Sequence, residues 1–386
     1  MKVTLQGRTR HFRTVMFDAR RNAVLLIDQR LLPHEFKLVA ARDFRRTAWA
    51  IQEMVVRGAG AIGATAAYGL AQGARAFHGR DAGEFRRRVE TVFQTLKAAR
   101  PTAIDPENAM TQVRQAMAVG ETVAEQQALG LAAAEEFANE DVRHCAALGQ
   151  QGAKLIRDGM NVLTHCNAGW LAFVDVGSAT APLYAAQARG IKFHVYCDET
   201  RPRSQGATLT AWELAQQGIS HQIIADNAAG HLMQRGKIDL VIVGSDRTLG
   251  RTGEVTNKIG TYSKAVLAWR HGIPFYVAIP LSSIDWNLKS GMDIPIEERD
   301  GSEVLGAWGT IEAPKRRGRA SKRLRRAYVR VANPTSEALN PGFDVTPAEL
   351  ITGIVTPAGI LRPSELWARR RELGWTAALP NSVHPA

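Results

Sequence analysis

The chain has 386 residues, of which 45% are hydrophobic and 22% are charged, and lysine and arginine outnumber the acidic residues by 12. A chain of this length and composition is typical of a globular protein that buries a large core in two or three domains. No stretch is apolar over the length that crosses a bilayer, and no apolar run follows the charged amino terminus, so the sequence predicts a soluble, unprocessed cytoplasmic protein.

Residues 1–130 are predicted to form a smaller, mostly helical domain with a short antiparallel sheet. The pattern up to about residue 39 favours two or three short strands. From residue 41 to about 158, apolar residues recur at helical spacing, as Ala48 and Ile51 do on one stripe. Helices therefore dominate this part of the prediction.

From Asn161 onward, short β-branched strands end in clusters of small and reactive residues, and helices that stop at glycine follow them. The predicted strands are 162–164, 193–196 and 240–243, and the predicted helices are 180–189, 207–217, 228–235 and 258–271. This alternation predicts an α/β fold over residues 131–386, a Rossmann-like, doubly wound, mainly parallel sheet with a basic insertion near 313–332. Because the ends of parallel strands meet at one edge of a sheet, a thiol, carboxylates and cations are expected to converge there.

The three cysteines, Cys145, Cys166 and Cys197, lie far apart in the sequence and form no Cys-x-x-Cys spacing. This argues against a zinc site and against a disulfide framework. A reducing compartment and a chain without a metal are therefore expected.

The segment 315–330 reads KRRGRASKRLRRAYVR and contains no acidic residue. Nucleic acid, a membrane surface or a phosphorylated metabolite are each compatible with such a block. The block has one tyrosine and lacks the interleaved aromatic residues that stack on single-stranded nucleic acid. A solvated surface insertion is the favoured interpretation, and neither a nucleic acid nor a membrane is expected as a partner.

Seven motifs occur in order along most of the chain. They are Arg-Gly-Ala-Gly-Ala-Ile-Gly (57–63), Thr-His-Cys-Asn-Ala-Gly (164–169), Asp-Glu-Thr-Arg-Pro-Arg-Ser-Gln-Gly-Ala (198–207), Val-Gly-Ser-Asp-Arg (243–247), Asn-Lys-Ile-Gly-Thr-Tyr (257–262), Pro-Leu-Ser-Ser-Ile-Asp (280–285) and Asn-Pro-Gly-Phe-Asp-Val-Thr-Pro (340–347). Together they resemble the methylthioribose-1-phosphate isomerase family. That family is related to ribose-1,5-bisphosphate isomerase and to the regulatory subunits of the initiation-factor-2 guanine-nucleotide exchange factor.

The resemblance implies an aldose-to-ketose isomerisation in methionine salvage, from 5-methylthioribose 1-phosphate to 5-methylthioribulose 1-phosphate, without an added cofactor or metal. It implies catalytic roles for Cys166 and Asp246. It implies substrate contacts at Arg57, Gly58, Ala59, Arg100, Gln205, Asn257 and Lys258. A phosphorylated pentose is the expected partner, and the family's common assembly implies a homodimer.

The chain departs from the family pattern close to these motifs. Gly60 stands where the family usually has proline, which is expected to loosen the loop that presents Arg57. Ile-Asp-Pro-Glu (104–107) replaces the family's Asn-Leu, Trp170 begins a bulkier run after the cysteine motif, and Ser245 precedes the aspartate. A 5-deoxyribose-1-phosphate isomerase, a ribose-1,5-bisphosphate isomerase and a non-catalytic homologue that senses a sugar phosphate stay open as alternatives.

The chemistry of a pentose 1-phosphate explains why such residues are needed. Its anomeric oxygen is esterified, so the ring must be opened while the phosphate is kept. A carboxylic acid held protonated suits this step, and burial at a strand end is expected to raise the pKa of Asp246. Cys166, at a strand end and near a helix start, is expected to have a lowered pKa and to act as a base at C2 or to stabilise the transition state. Proton and hydride transfer both stay open.

The dianionic phosphate requires cations and backbone donors. Arg57 lies in a glycine-rich turn that lets main-chain N–H groups approach an anion, and Arg100 and Lys258 add positive charge.

Some of these residues also have purely structural interpretations. Asp246 is equally suited to capping a helix, and Asp198 to pairing with Arg201 or Arg203. His165 is interpreted as a packed core histidine.

Overall fold

The computed structural model describes residues 1–100, 104–311 and 325–375, so the basic segment 315–330 falls largely outside the described residues. The helices are α1 (Phe44–Gln52), α2 (Ala59–Arg75), α3 (Ala82–Ala99), α4 (Asp105–Met117), α5 (Val123–Gly152), α6 (Ala181–Ala188), α7 (Ala211–Gln217), α8 (Ala228–Gln234), α9 (Thr261–Arg270), α10 (Ser302–Leu305) and α11 (Glu365–Ala368). The strands are β1 (Lys2–Leu5), β2 (Arg8–His11), β3 (Val15–Asp18), β4 (Ala23–Ile27), β5 (Leu38–Ala41), β6 (Asn161–Thr164), β7 (His194–Asp198), β8 (His221–Ile224), β9 (Leu240–Val243), β10 (Arg247–Leu249), β11 (Val255–Lys258), β12 (Phe275–Ala278), β13 (Ile284–Asp285), β14 (Gly306–Ile311), β15 (Arg325–Arg330), β16 (Phe343–Thr346), β17 (Gly353–Thr356) and β18 (Gly359–Leu361).

The first hydrophobic core surrounds α2, which is buried along nearly its whole length. Eleven of its 17 residues are alanine or glycine, and these small side chains let neighbouring helices approach closely. The antiparallel sheet β3-β4-β5 covers the same core through Val24 and Leu26.

A seven-stranded sheet organises the second half of the chain. Its order is β18-β17-β12-β9-β6-β7-β8, and neighbouring strands are parallel except β17 and β18. β9 reads Leu-Val-Ile-Val and is buried throughout, as expected of a parallel strand covered on both faces. From β6 the chain winds outward through β7 and β8 and then returns to place β9 on the other side of β6. The direction of winding therefore reverses between β6 and β9, where loops diverge and leave a crevice.

A second sheet of four short strands has the order β13-β10-β11-β16. β11 pairs antiparallel with β16, so that Asn257 faces Asp344 and Lys258 faces Phe343 in the register. β10 begins immediately after Asp246. This sheet therefore continues directly from the carboxyl end of β9.

The predicted fold class is confirmed, and the glycines that follow α6, α7, α8 and α9 have the positive φ angles expected of helix ends. Residues 1–41 form five strands in two antiparallel sheets, more than the sequence predicts. The predicted helix over 207–217 begins with a wider π-helical turn at Gly206–Thr210. The predicted helix over 258–271 is wrong at its start, because Lys258 ends a strand and the helix begins at Thr261.

The predicted domain boundary between residues 130 and 131 lies inside α5 and remains a prediction. In the part of the chain that the structure describes, no helix combines the length and hydropathy of a membrane span.

Candidate active site

The two residues predicted to be catalytic follow adjacent parallel strands. Cys166 lies two residues after the end of β6, and Asp246 lies three residues after the end of β9. These strands pair with each other and flank the point where the winding reverses. Loops at this position of an open α/β sheet commonly build a ligand site.

The backbone of Cys166 is fixed by two threonines. Its N–H donates to Oγ1 of Thr200 at 2.8 Å, and its carbonyl oxygen accepts from Oγ1 of Thr210 at 2.7 Å. These bonds hold the residue at a φ of +66°, an unusual angle for a side-chain-bearing residue. Its thiol donates to Oε1 of Gln205 with an S···O distance of 3.6 Å. This bond brings the residue predicted to be catalytic next to Gln205, a predicted substrate contact.

The predicted lowering of the Cys166 pKa is wrong. Cys166 is 6% exposed, and burial raises the pKa of its thiol. The positive charges of Arg57 and Lys258 lower this pKa by less than burial raises it, and Asp246 adds to the rise. The residue is therefore a neutral thiol near neutral pH, which fits its role as a donor to Gln205.

Asp246 occupies the turn between β9 and β10, where its N–H donates to the carbonyl oxygen of Thr256 at 2.9 Å. A strand follows it, so the alternative that it caps a helix is wrong. Burial raises the pKa of its carboxyl group, in the direction that the sequence predicts. The charges of Lys258, Arg57 and Arg100 oppose this rise without cancelling it.

Lys258 and Asn257 come from β11 and are both buried. The ammonium group of Lys258 donates to the carbonyl oxygen of Gly342 at 3.0 Å and lies 4.2 Å from the ring centre of Phe343. Burial lowers its pKa, while Cys166 and Asp246 raise it. Lys258 and Asp246 shift the pKa of Cys166, and Lys258 also shifts that of Asp246, so the three groups form one electrostatic unit.

Arg57 joins this unit from the start of α2. Its guanidinium group donates both to the side-chain oxygen and, at 2.7 Å, to the backbone oxygen of Asn167, the residue after Cys166. Gly58 has a φ of +94°, and a Cβ there would lie 2.4 Å from Ala172. Ala59 then begins α2, whose amino end lies in the same turn. The turn can therefore form only with glycine after Arg57.

Gly60 has a packing explanation as well. A Cβ at this position would lie 2.4 Å from Oδ1 of Asp141 and 2.5 Å from Cδ1 of Phe173. Gly60 lies within α2 and is buried against these side chains, and the loosening of the Arg57 loop stays a prediction.

Arg100 approaches the cluster from the end of α3. Nη2 lies 3.6 Å from Oε2 of Glu297, and Nε and Nη1 are buried without a hydrogen-bond partner among the described residues. Burial lowers the pKa of its guanidinium group; Glu297 and Asp246 raise it, and Arg299 and Arg57 lower it further. Buried N–H groups without partners are costly, so this cationic cluster is suited to an added anion.

A cavity of about 320 Å³ opens beside Arg57 and Gln205. Its walls come from the 29–35 segment, the turn at 202–209 and the hairpin β14-β15. Sequence analysis missed the first and last of these walls, because both are remote in the chain from the motifs. The structure therefore adds a place for a small molecule next to the predicted substrate contacts.

Glu213 is another residue that sequence analysis missed. It is fully buried in α7, and its carboxylate accepts from Nδ2 of Asn167 and from the N–H groups of Trp170 and Leu171. Burial raises its pKa, and these donors lower it by less. Glu213 thus holds the loop that carries Cys166. Glu213 is the only charged residue in the predicted helix 207–217, and this was the available signal.

Asp198 pairs with neither Arg201 nor Arg203, so that expectation is wrong. Its Oδ2 lies 2.8 Å from Nδ1 of His165 and 3.2 Å from Nζ of Lys264. His165 is buried, as predicted. His165, Asp198 and Asp226 each place a possible metal-ligand atom within 4.8 Å of the others. The ammonium group of Lys264 already supplies a positive charge to this carboxylate, which argues against a bound cation.

Comparison with known proteins places this geometry in context. The Initiation factor 2 subunit family matches residues 55–363. The methylthioribose-1-phosphate isomerase of Methylorubrum extorquens is 48% identical over 364 residues, covering 92% of this chain and 95% of that protein. The protein of the same name from Rhizobium meliloti is 46% identical over 369 residues, covering 92% and 95%.

Two solved structures share the fold along most of the chain. The 5-methylthioribose 1-phosphate isomerase of Pyrococcus horikoshii is 40% identical with a TM-score of 0.79, covering 94% of this chain and 96% of that chain. The structure described as the delta subunit of the translation initiation factor eIF-2B from A. fulgidus is 36% identical with a TM-score of 0.77, covering 95% and 100%.

Proposed function

Because the chain belongs to the Initiation factor 2 subunit family, we propose that it is an aldose-ketose isomerase that converts 5-methylthioribose 1-phosphate to 5-methylthioribulose 1-phosphate in methionine salvage. The observation that carries the proposal is the joint placement of Cys166 and Asp246 after two adjacent strands, in a chain that matches proteins of that name over 92% of its length. A sensing homologue has no need of this buried acid and thiol.

The phosphate binds to the cationic cluster. Arg57, Arg100 and Lys258 supply positive charge, and the amino end of α2 at Gly58 and Ala59 supplies backbone N–H donors. The unpartnered N–H groups of Arg100 gain acceptors when the dianion binds. Gln205 and Asn257 orient the sugar hydroxyl groups next to Cys166 and Lys258.

Asp246 acts as the acid that opens the ring. Its carboxyl proton goes to the ring oxygen, the bond from C1 to that oxygen breaks, and the oxygen that carries the phosphate shares the positive charge at C1. Hydrogen then moves from C2 to C1, either directly as a hydride or as a proton through an enol. The C2 hydroxyl group loses its proton as C2 becomes a carbonyl, and this proton restores Asp246.

Binding of the phosphate also prepares this acid. The charges of Lys258, Arg57 and Arg100 hold the pKa of Asp246 below the value that burial alone gives. A bound dianion neutralises these charges, so the pKa of Asp246 rises further when substrate is present. Cys166 is buried as a neutral thiol beside Gln205, and in this role it stabilises the transition state of the hydrogen transfer at C2 as an uncharged donor.

A panel of pentose 1-phosphates that differ only at C5 tests the proposed substrate. Ketose formation is measured with a 5-methylthio, a 5-deoxy and a 5-phosphate compound under identical conditions. We expect the highest kcat/KM for the 5-methylthio compound. Turnover of the 1,5-bisphosphate with a higher kcat/KM would contradict the proposed substrate, and binding of all three without ketose formation would contradict the proposed reaction.

A further inference from the structure

His165 connects the two sheets that meet at the candidate site. It directly follows the last residue of β6, precedes Cys166 and is 1% exposed. Nδ1 of its ring lies 2.8 Å from Oδ2 of Asp198, the last residue of β7. Nε2 donates at 2.9 Å to the carbonyl oxygen of Ile259, in the turn that follows β11. The ring therefore links the end of the seven-stranded sheet to a turn of the four-stranded sheet.

The bond to Ile259 acts on the residue next to Lys258. The N–H of Ile259 and the ammonium group of Lys258 both donate to the carbonyl oxygen of Gly342, at 3.1 and 3.0 Å. Gly342 directly precedes β16. The backbone around Lys258 is thus held by the segment before β16 and, through the Ile259 carbonyl group, by the end of β6.

The orientation of the ring is itself fixed. Oδ2 of Asp198 lies 3.2 Å from Nζ of Lys264 in α9, so the carboxylate that meets Nδ1 is held in turn by the helix that follows the turn. On the turn, a Cβ at Gly260 would lie 3.1 Å from Cε1 and Nε2 of the ring. The ring and the turn are therefore in close contact, and neither has room to shift alone.

Lys258 depends on the placement of its own backbone. Its side chain is buried, and its ammonium group contacts the Gly342 carbonyl oxygen and the ring of Phe343. Neither of these partners carries a charge. A displacement of the end of β11 would therefore carry the ammonium group with it, and a misplacement of about 1 Å in a site can lower a rate on the order of 100-fold.

We propose that His165 is a positioning residue that fixes the ammonium group of Lys258 for the phosphate, by holding the turn after β11 against the end of β6. This inference rests on the proposed function, in which Lys258 supplies positive charge to that phosphate. His165 touches no substrate in this role. The backbone of Cys166 is bound by Thr200 and Thr210, so His165 acts on turnover through Lys258.

Two substitutions of His165 separate the bond to Ile259 from the packing of the ring. In His165→Gln the side-chain amide reaches the position of Nε2 and can donate to the Ile259 carbonyl oxygen, whereas the shorter amide of His165→Asn reaches only the position of Nδ1. The readout is kcat/KM for ketose formation from 5-methylthioribose 1-phosphate by the full chain. We expect a loss of about 10-fold in His165→Asn, the effect of one lost hydrogen bond, and a value within about threefold of the wild type in His165→Gln.

A double-mutant cycle with Lys258→Met shows whether His165 acts through Lys258. Lys258→Met removes the ammonium group and keeps an unbranched side chain. In the Lys258→Met background, His165→Asn should lower kcat/KM by less than about twofold, because the group that His165 positions is gone. A purely structural role of His165 would instead give the same fractional loss in both backgrounds.

Equal losses in the two backgrounds, or an unchanged kcat/KM in His165→Asn, would overturn the inference. If His165→Asn does not fold, His165→Gln decides: a value within about threefold of the wild type supports the inference, and a loss of about 10-fold or more in the folded variant overturns it. Failure of the wild type to form ketose would overturn the proposed function.

Discussion

Cys166 and Asp246 each lie among cations, and in both residues burial outweighs those cations. A thiol at a strand end near a helix start suggests a lowered pKa when only the sequence is known. The described structure seals the thiol beneath Gln205 and the loop held by Glu213, so desolvation decides the outcome. The sequence contains the charges but does not reveal how deeply they are buried.

Gly58 is the single residue whose replacement should affect the site most directly through the backbone. Gly58→Ala combines a φ of +94° with a Cβ 2.4 Å from Ala172. We expect the free energy of unfolding to fall by about 3 kcal/mol or more, measured by urea denaturation, and Arg57 to lose its position.

Gly159→Ala is the matched control for this prediction. Gly159 has a φ of +81°, and a Cβ there meets no atom within 4 Å. Gly159→Ala should lower the free energy of unfolding by only about 1 kcal/mol, which is the strain of the backbone angle alone. Equal losses in the two variants would show that the close approach to Ala172 does not limit the turn.

Among the elements, the parallel strands and the helices that end at glycine follow from local sequence. β-branched runs, such as that of β9, and the glycines after α6 to α9 carry this information within a few residues. Elements that depend on distant pairing were missed. β11 reads Val-Thr-Asn-Lys and is a strand because it pairs with β16, more than 80 residues later in the chain.

In the candidate site, too, some residues are identified by local sequence and others only by tertiary packing. Cys166 and Asp246 stand in motifs that a reader of the sequence recognises, and their positions after β6 and β9 follow from the strand pattern. Glu213 carries no motif, and its importance depends on its burial and on the hydrogen-bond donors that face it. The hairpin β14-β15 borders the cavity only through tertiary packing.

Across the whole chain, buried carboxyl groups make stability depend on pH. Burial raises the pKa of Asp141 from 3.8 to about 7, so the folded state holds a proton that the unfolded state releases. This carboxyl group does not oppose folding below about pH 4, and it increasingly destabilises the fold as pH rises toward 7. Removing this carboxyl group should therefore increase the free energy of unfolding most at neutral and alkaline pH.

Urea denaturation of Asp141→Asn from pH 4 to pH 8 tests this linkage. Between pH 4 and pH 8, we expect the free energy of unfolding of the variant to rise by about 2 to 4 kcal/mol relative to that of the wild type. Any constant cost of the amide at this site leaves the slope unchanged. Parallel curves for the two proteins would show that Asp141 ionises normally in the folded state.

The account as a whole depends on one shared site for Cys166, Asp246 and the phosphate. Its most direct test measures, for Cys166→Ala and Asp246→Asn, both the turnover of 5-methylthioribose 1-phosphate and its Kd, with Cys197→Ala as a control at a buried cysteine on β7. We predict a loss of turnover of about 1,000-fold or more in both site variants, a Kd within about threefold of the wild type, and near-normal turnover in the control. Turnover above one tenth of the wild type in either site variant would contradict the account.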